Sequence, residues 1–308
     1  MLVGIEHNRN TRVEKWMTTL AQKFNEAGQN TFLNSSWAKI PPCDVFIVWN
    51  GQAKNVWEAV QSLLCRGTRV ITCEHGWFPQ ADHFYFDGAG ANYLSTIASM
   101  KFTQPDEKGL DALCTWLYKY HNRRPVGIPY KPGFIFLPLQ LEYDAQITKA
   151  SNFSTMQEVV NLVTTGFPND LIVVKPHPLN AEAIVSTQGN MVVAPVDTNL
   201  HQLIKDSKVV VTVNSTVGAE ALSYAKPVIA LGLSFYTHDG IVLSGQTSTL
   251  FYESVNAIRD GWQPDRLLLQ CMFYELVRRQ WKIQDLQGEK NIGRILNGDF
   301  YAWGSSAS

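Results

Sequence analysis

Short apolar segments alternate with amphipathic helical patterns along this chain, and the alternation limits the folds that it can adopt. The segments "LVGIE" (2–6), "CDVFIVW" (43–49) and "RVITCE" (69–74) are typical of strands, and helical patterns occupy 12–27 and 53–66 between them. Continuous apolar strands separated by helices belong to parallel sheets that helices cover on both faces. The sequence therefore predicts an α/β protein with doubly wound sheets.

The alternation is interrupted once and then resumes. Residues 121–133, "HNRRPVGIPYKPG", contain three prolines and two glycines, which is typical of a linker between domains. Further strands are predicted after the linker, at 134–139, 171–175, 191–195, 209–213 and 227–232. We expect an N-terminal Rossmann-like domain over 1–125, a second one over 126–262, and over 263–308 a closing helix and tail that pack back toward the first domain.

Charge and cysteine usage exclude several classes of protein. The formal net charge is −1, so the global positive field typical of nucleic-acid binding is absent. The five cysteines are scattered and include no Cys-x-x-Cys pair, which argues against a disulfide framework or a structural zinc site. The N-terminus is apolar only up to Glu6, and no apolar run reaches the length of a membrane span. We therefore expect a cytoplasmic protein without a signal peptide.

Polar residues follow the predicted strands, at the positions where ligands bind in open parallel sheets. In the first domain these ends are Glu6-His7-Asn8, Trp49-Asn50-Gly51 and Glu74-His75-Gly76. In the second domain they are Gln140, Lys175-Pro176-His177-Pro178 and Asn214-Ser215-Thr216. Two such edges facing each other would form a deep cleft, which is the GT-B arrangement of nucleotide-sugar glycosyltransferases and epimerases.

The stretch "VVVTVNSTVGAEAL" in the second domain has the features of a phosphate site. Asn214, Ser215 and Thr216 can cap the helix that begins there, and the free amides and positive dipole end of that helix can bind an anion. Gly218 would let a ligand approach closely, and Glu220 is placed to accept hydrogen bonds from ribose hydroxyls. An ordinary capped helix with an exposed glutamate is the alternative interpretation.

The stretch "KPHP" ends a hydrophobic strand with a restricted backbone. Prolines on both sides hold His177 at the strand end, where an imidazole can donate to a phosphate or protonate a leaving group. Lys175 adds positive charge. The alternative is a rigid turn with a solvated imidazole.

Four segments carry a resemblance to a known family. They are an acidic-residue-then-glycine loop with its downstream glycine-asparagine-serine segment (73–95), a Gln-x-x-x-Asp block (136–160), a His-Pro motif (173–178) and a helix with its following loop (214–240). These segments resemble the capsule polysaccharide biosynthesis proteins, whose characterised members are Kdo transferases that use a CMP-activated sugar, and more distantly bacterial sialyltransferases. The resemblance implies a GT-B-like fold of two doubly wound Rossmann-like domains facing across a cleft, with the nucleotide-sugar donor in the second domain and the acceptor in the first.

The resemblance also implies roles for individual residues. Glu74 falls where the family carries its catalytic carboxylate, and His75 is the rival base. His177 would contact the donor phosphate, as would the helix start at Ser215. Together with the strand ends, this predicts as donor-binding residues Gln140, Asp144, Lys175, His177, Asn214, Ser215, Thr216, Gly218 and Glu220. The predicted acceptor-binding residues are His7, Asn8, Asn50 and Trp77.

These residues predict a glycosyltransferase that moves a sugar from a nucleotide-activated donor to a hydroxyl of a glycan or glycolipid. Glu74 would act as the general base of an inverting reaction. No Asp-x-Asp pair occurs, and the nearest approach, Glu142-x-Asp144, is assigned to hydrogen bonding. We therefore expect no metal, and no cofactor besides the donor substrate.

Three alternatives remain open from the sequence. A phage-type DNA glycosyltransferase would act on an extruded hydroxymethylated pyrimidine base. Its DNA contacts would come from basic residues near the linker and on the last helix, namely Lys119, His121, Arg123, Arg124, Lys131, Arg278, Arg279 and Lys282. A nucleotide-sugar epimerase and a non-catalytic glycan-binding protein are the other two.

Overall fold

A computed structural model describes residues 1–7, 11–80, 82–180, 189–286 and 288–303. The chain forms two compact units, one made of Met1–Met100 with Glu275–Ser308 and the other of Lys101–Tyr274. The predicted domain boundary after residue 125 falls inside the second unit, and the predicted C-terminal segment is divided between the two units.

The first unit contains a six-stranded sheet. Its strands are β1 (Leu2–Glu6), β2 (Asn30–Asn34), β3 (Val45–Trp49), β4 (Arg69–His75), β5 (Phe84–Asp87) and β12 (Gln280–Trp281), and its helices are α1 (Thr11–Glu26), α2 (Lys54–Cys65), α3 (Thr96–Ser99) and α11 (Gly288–Leu296). The strand order is β12-β5-β4-β3-β1-β2. Strands β1 to β4 run parallel, whereas β5 and β12 are antiparallel to their neighbours.

The sequence pattern predicts β1, β3, β4, α1 and α2, and all five elements are present. It misses β2, β5 and β12, and the structure gives a physical reason for β2 and for β12. Strand β2 is a partly exposed edge strand whose apolar run is only two residues long. Strand β12 has two residues and lies inside a segment with a helical pattern, where the Gln280 side-chain amide bonds both the N–H and the C=O of Phe78 at 2.7 Å. A pairing partner some 200 residues away overrides the local pattern.

Both faces of the first sheet are buried. On one face Ile47 and Ile71 belong to an apolar cluster that includes residues of α1. On the other face Val48 and Val70 belong to a cluster that includes residues of α2. Because successive side chains of a strand point to opposite faces, the central strands β3 and β4 contribute to both clusters.

The second unit contains another six-stranded sheet. Its strands are β6 (Ile135–Pro138), β7 (Ile172–Lys175), β8 (Met191–Val193), β9 (Val209–Thr212), β10 (Val228–Ala230) and β11 (Leu243–Ser244), and its helices are α4 (Glu107–His121), α5 (Ala145–Ala150), α6 (Met156–Gly166), α7 (Leu200–Asp206), α8 (Thr216–Ser223) and α9 (Ser248–Arg259). Helix α10 (Arg266–Arg278) begins in this unit and ends in the first. The order is β11-β10-β9-β6-β7-β8, and every pair is parallel.

The alternation predicted for the second half of the chain is confirmed. Helix α6, for example, begins with a capping box, in which the Thr155 hydroxyl accepts from the N–H of Glu158 and the Glu158 carboxylate accepts from the N–H of Thr155. The predicted linker between α4 and β6 contains no helix or strand after His121, but it lies within this unit. Strand β6 pairs with both β7 and β9, so the residues that follow these three parallel strands lie at one edge of the sheet.

Within the described part of the chain, no helix is both long enough and apolar enough to cross a lipid bilayer.

Candidate functional site

Two of the predicted donor-side residues at this edge, Gln140 and Asn214, bind each other. The Gln140 side-chain Nε2 donates to Oδ1 of Asn214 at 2.9 Å, and its Oε1 accepts from the backbone N–H of Asn214 at 3.0 Å. Asn214 is buried. These bonds connect the ends of β6 and β9, so the two amides fix the point from which α8 starts.

Helix α8 begins with the predicted cap. The Ser215 hydroxyl accepts from the N–H of Val217 at 3.2 Å, and Thr216 is the first helical residue. The Tyr236 hydroxyl donates to the carbonyl of Ser215 at 2.7 Å. The helix start is thus held by side chains from two directions, and its first turn has the polarity that stabilises anions.

Gly218 has a different role from the predicted one. A Cβ atom added at this position would lie 2.4 Å from the hydroxyl oxygen of Tyr236. The space beside Gly218 is therefore filled by the protein's own tyrosine ring rather than left open for a ligand. The absence of a side chain lets Tyr236 reach the carbonyl of Ser215.

His177 follows β7 with one ring nitrogen already bonded. The backbone N–H of Leu179 donates to Nδ1 of His177 at 3.1 Å, so in the neutral ring the hydrogen resides on Nε2. Burial lowers the pKa of His177, and the nearby exposed Asp144 carboxylate opposes this shift. At neutral pH the imidazole is therefore a neutral hydrogen-bond donor through Nε2–H.

Lys175, at the end of β7, is buried, and its ammonium donates to the carbonyl of Val196. Burial lowers the pKa of this amine. The side chain thus connects β7 to the loop after β8, and its predicted donor contact stays a prediction. Glu142, as expected, forms a hydrogen bond: its carboxylate accepts from the N–H of Met156 at the start of α6, at 2.6 Å.

The arrangement of the strands brings the predicted phosphate ligands to the same edge. His177 follows β7 and Ser215 follows β9, and β6 alone separates these strands. With neighbouring strands about 4.8 Å apart, the two strand ends are separated by roughly 10 Å. Asp144, which follows β6, is close enough to influence the pKa of His177.

Glu220, in the second turn of α8, is bonded to a residue that sequence reasoning missed. The Tyr120 hydroxyl, on α4, donates to Oε2 of Glu220 at 2.8 Å. The His201 ring nitrogen Nε2 lies 3.8 Å from the same oxygen. Burial raises the pKa of Glu220, and the Tyr120 hydrogen bond lowers it. The two partners are 100 residues apart in the chain, so no local pattern could have indicated the pair.

In the first unit, the candidate base Glu74 lies near the end of β4 with both carboxylate oxygens oriented. Its Oε2 accepts from Nδ2 of Asn50 at 2.6 Å, and its Oε1 accepts from the N–H of His75 at 2.7 Å. Asn50 follows β3 with a φ of 60°, the left-handed region that asparagine tolerates better than most residues. Asn50 thus positions the carboxylate of Glu74.

The two rival bases point to opposite faces of the first sheet. Side chains alternate along β4, and His75 stacks edge to face on Trp49 with a centroid separation of 4.8 Å. Trp49 belongs to the cluster on the α1 side, whereas Glu74 shares its face with Val70 on the α2 side. Because their side chains lie on opposite faces of the sheet, Glu74 and His75 cannot serve the same site.

The remaining predicted acceptor residues differ in their placement. His7 pairs with Glu14 of α1 at 2.9 Å, and Asn8 lies outside the described residues. Trp77 is 2% exposed and stacks on Tyr85 with a centroid separation of 3.7 Å. We assign Trp77 a structural role, because its indole has almost no surface to offer a ligand.

Two of the basic residues predicted to contact DNA are buried in the first unit. Arg278 and Arg279 lie 2.7 Å and 3.3 Å from the carboxylate oxygens of Glu275, which is 0% exposed. Buried charges of this kind persist because they are paired. The prediction that these arginines form a DNA-contacting surface is wrong.

Within the described residues, no group of three or more His, Cys, Asp or Glu side chains is arranged to hold a metal ion.

A comparison with protein families identifies the chain. The family model described as capsule polysaccharide biosynthesis protein matches residues 118–277. This chain belongs to the capsule polysaccharide biosynthesis family. The matched region begins in the last turn of α4 and includes the whole second sheet and every predicted donor-side residue.

Two curated proteins are similar to this chain. The chain is 28% identical over 232 residues to the protein FixF of Sinorhizobium fredii (strain NBRC 101917 / NGR234), which covers 72% of this chain and 56% of FixF. It is 26% identical over 163 residues to the capsule polysaccharide export protein KpsS of Escherichia coli, which covers 46% of this chain and 39% of KpsS. The chain thus spans about half or less of the length of these curated relatives.

The fold is shared with a solved structure, that of the β-Kdo 2,4 transferase of KpsC from Thermosulfurimonas dismutans. The TM-score is 0.65 at 18% identity, with 89% of this chain and 90% of that chain covered. At this identity the likeness concerns the fold. It confirms the predicted class, a Rossmann-like GT-B fold with parallel sheets.

Proposed function

We propose that this protein is a glycosyltransferase that moves a sugar from a nucleotide-activated donor to an acceptor hydroxyl. The observation that carries the proposal is the edge of the second sheet, where Nε2–H of His177 and the α8 start at Ser215 lie two strands apart. Both are neutral hydrogen-bond donors suited to an anion. Membership of the capsule biosynthesis family supports the same conclusion.

The donor would bind to the second unit. Its phosphate would accept a hydrogen bond from His177 and would lie at the start of α8, where the helix dipole would favour the negative charge. Glu220, which Tyr120 orients, would accept from the ribose hydroxyls. Gln140 and Asn214 would act indirectly by holding the start of α8 in place.

Glu74 of the first unit would act as the general base. The acceptor oxygen forms a bond to the anomeric carbon, and its proton passes to the Glu74 carboxylate. The bond between the anomeric carbon and the phosphate oxygen breaks, and its electron pair leaves with the phosphate. His177 and the start of α8 would stabilise the charge that develops there without a metal ion. A single displacement of this kind inverts the anomeric configuration.

We further propose a Kdo-like sugar with a CMP leaving group as donor, and a capsule-type glycan or glycolipid as acceptor. The support is the family membership and the shared fold with a protein described as a Kdo transferase. An epimerase would convert the nucleotide-sugar to an isomer without an acceptor, so product analysis separates the two activities.

The test is a thermal-shift screen against CMP-, UDP- and GDP-linked sugars, followed by measurement of the dissociation constant of the best donor. We expect a CMP-linked sugar to raise the melting temperature, and His177→Ala to weaken its binding by about tenfold, or ~1.4 kcal/mol. Leu179→Ala is the matched control, because its side chain is 78% exposed in the same loop and its N–H is retained. An unchanged dissociation constant in His177→Ala would remove His177 from the donor site.

A further inference from the structure

The first unit contains a hollow of about 80 Å³ between α2 and residues 88–94. Its floor includes Val70 and Thr72 of β4, and one wall includes Trp57 and Gln61 of α2. Of the residues that line the hollow, Asn50 at the end of β3 is the one that the sequence predicted to bind a ligand.

The hollow leads to Glu74. Side chains two residues apart on a strand point to the same face, so Val70, Thr72 and Glu74 form one row along β4, with about 7 Å between successive members. Val70 and Thr72 line the hollow, and Glu74 follows them at the carboxyl end of the strand. Asn50 also joins the two, since it lines the hollow and its Nδ2 lies 2.6 Å from Oε2 of Glu74.

The exposed wall combines an aromatic ring, an amide and an aliphatic side chain. Trp57, Gln61 and Leu64 are four and three residues apart, so they lie on one face of α2. Trp57 is 43% exposed and Leu64 is 50% exposed, so both leave apolar surface accessible beside the hollow. The amide of Gln61 stands between them.

The opposite wall is fixed before any ligand binds. The carboxylate of Asp87, 0% exposed, accepts from the N–H groups of Ala89 and Thr96 at 2.7 and 2.9 Å. The amide of the buried Gln52 donates to the carbonyl of Ala91 at 2.9 Å. Because this wall is already ordered, a ligand that binds here loses no binding free energy to ordering it.

The lining selects a class of ligand. Every described residue that lines the hollow is uncharged, so phosphate groups and nucleic acid have no cation to bind. A purely apolar chain would offer no hydrogen bond to the amide of Gln61 or to the second Nδ2–H of Asn50, the first being donated to Glu74. A neutral ring with an apolar face for Trp57 and hydroxyls for the amides matches both kinds of surface.

We propose that this hollow binds a neutral pyranose unit of the acceptor and directs it along β4 toward Glu74. The proposal rests on the proposed function for the identity of the acceptor. The binding site itself lies in the first unit and can be tested without a donor.

The experiment uses the full chain and two probes, methyl β-D-galactopyranoside and methyl α-D-glucopyranoside, followed by saturation-transfer NMR and titration. We expect saturable millimolar binding of at least one probe, a loss of about tenfold in affinity in Trp57→Ala, and a loss of a few fold in Gln61→Ala. Glu58→Ala, on an exposed neighbouring position of α2, is the control and should bind as the wild type does. Circular dichroism checks that the variants fold. We expect them to fold, because Trp57 and Gln61 are exposed.

Equal affinity of Trp57→Ala, Gln61→Ala and the wild type would overturn the assignment, and so would the absence of saturable binding of either glycoside. The outcomes for the donor are separate. A wild type that binds a nucleotide-sugar through His177 but no glycoside refutes the hollow alone. A wild type that binds the glycoside but no nucleotide-sugar refutes the proposed function and leaves the hollow as a sugar-binding site.

Discussion

The carboxyl edges of the two sheets differ in the chemistry that they offer. At the edge of the second sheet, Gln140 and Asn214 bind each other, and two hydrogen-bond donors, Nε2–H of His177 and the start of α8, lie at the same edge together with the Asp144 carboxylate. At the edge of the first sheet, the residue held in place is a carboxylate, Glu74, and its partner Asn50 occupies a left-handed conformation to reach it.

The difference shows how one kind of sheet supports two complementary roles. An edge rich in N–H groups stabilises negative charge, whereas an edge with an oriented carboxylate accepts a proton. A transfer reaction needs both, because the nucleophile loses a proton and the leaving group gains negative charge. The following predictions test whether the two edges are specialised in this way.

The largest effect is expected at the first edge. Glu74→Gln keeps the shape and the hydrogen bond from Asn50 but cannot take up a proton, so turnover should fall by about 10²–10⁴-fold. The dissociation constant of the donor, measured by titration, should stay within twofold of the wild type, about 0.4 kcal/mol. Glu58→Gln on α2 is the control with full turnover. Normal turnover in Glu74→Gln would mean that this edge does not supply the base.

The second edge is tested by packing rather than by charge. Gly218→Ala forces a methyl group to within 2.4 Å of the Tyr236 hydroxyl, and overpacking of this kind costs about 1–3 kcal/mol in the free energy of unfolding. Gly293→Ala on α11 is the matched control, because an added Cβ there would meet no atom within 4 Å outside its own helix backbone and chain neighbours. This control should raise the free energy of unfolding by up to ~1 kcal/mol, because alanine has a higher helix propensity than glycine. Urea unfolding of both variants measures the difference, and equal stability would show that Tyr236 moves away freely.

The histidine beside Glu220 should make the second unit sensitive to acid. Burial lowers the pKa of His201 from 6.5 to about 4, so the unfolded chain takes up a proton that the folded chain excludes. The free energy of unfolding should therefore fall as the pH drops from about 6.5 toward about 4. His201→Gln should flatten this slope, with a difference of roughly 1–2 kcal/mol at about pH 5. Gln202→Ala, the next residue on α7, should keep the wild-type slope, and an unchanged slope in His201→Gln would contradict the prediction.

A smaller effect is expected from Tyr120→Phe. Loss of the hydroxyl should cost about 1 kcal/mol in the free energy of unfolding. The pKa of Glu220 is raised by burial, and the variant raises it further because the Tyr120 hydrogen bond lowers it. A carboxyl whose pKa is higher in the folded than in the unfolded state lowers the free energy of unfolding as the pH rises toward the folded-state pKa. The loss of stability in Tyr120→Phe should therefore be larger at about pH 8 than at about pH 5.

Tyr118→Phe, 71% exposed on the same helix, is the control and should show neither loss nor pH dependence. A loss in Tyr120→Phe that is independent of pH would mean that the hydroxyl contributes to packing rather than to the charge state of Glu220.

The sequence predicted the parallel strands and the polar strand ends because both depend on local periodicity. It also predicted the cap at Ser215, since a capping side chain and its target amide are neighbours in the chain. It could not predict that Gly218 makes room for Tyr236, or that Glu220 pairs with Tyr120, because these contacts join residues distant in the chain.

Arg278 and Arg279 are an instructive exception. Glu275 precedes them by three and four residues, the spacing of ion pairs on a helix, so a local signal for pairing was present in the sequence. The basic run was instead interpreted as a surface, because burial of the whole group depends on the packing of the last segment.

Strand β12 determines the order in which the two sheets can be completed during synthesis. The second unit is a single continuous stretch of chain, whereas the first sheet receives its last strand only from residues 280 and 281. During synthesis the sheet that starts first is thus completed last, and until then β5 is an open edge available to other chains. The newly made strand β5 therefore depends for protection against misassembly on residues 280 and 281, which are synthesised much later.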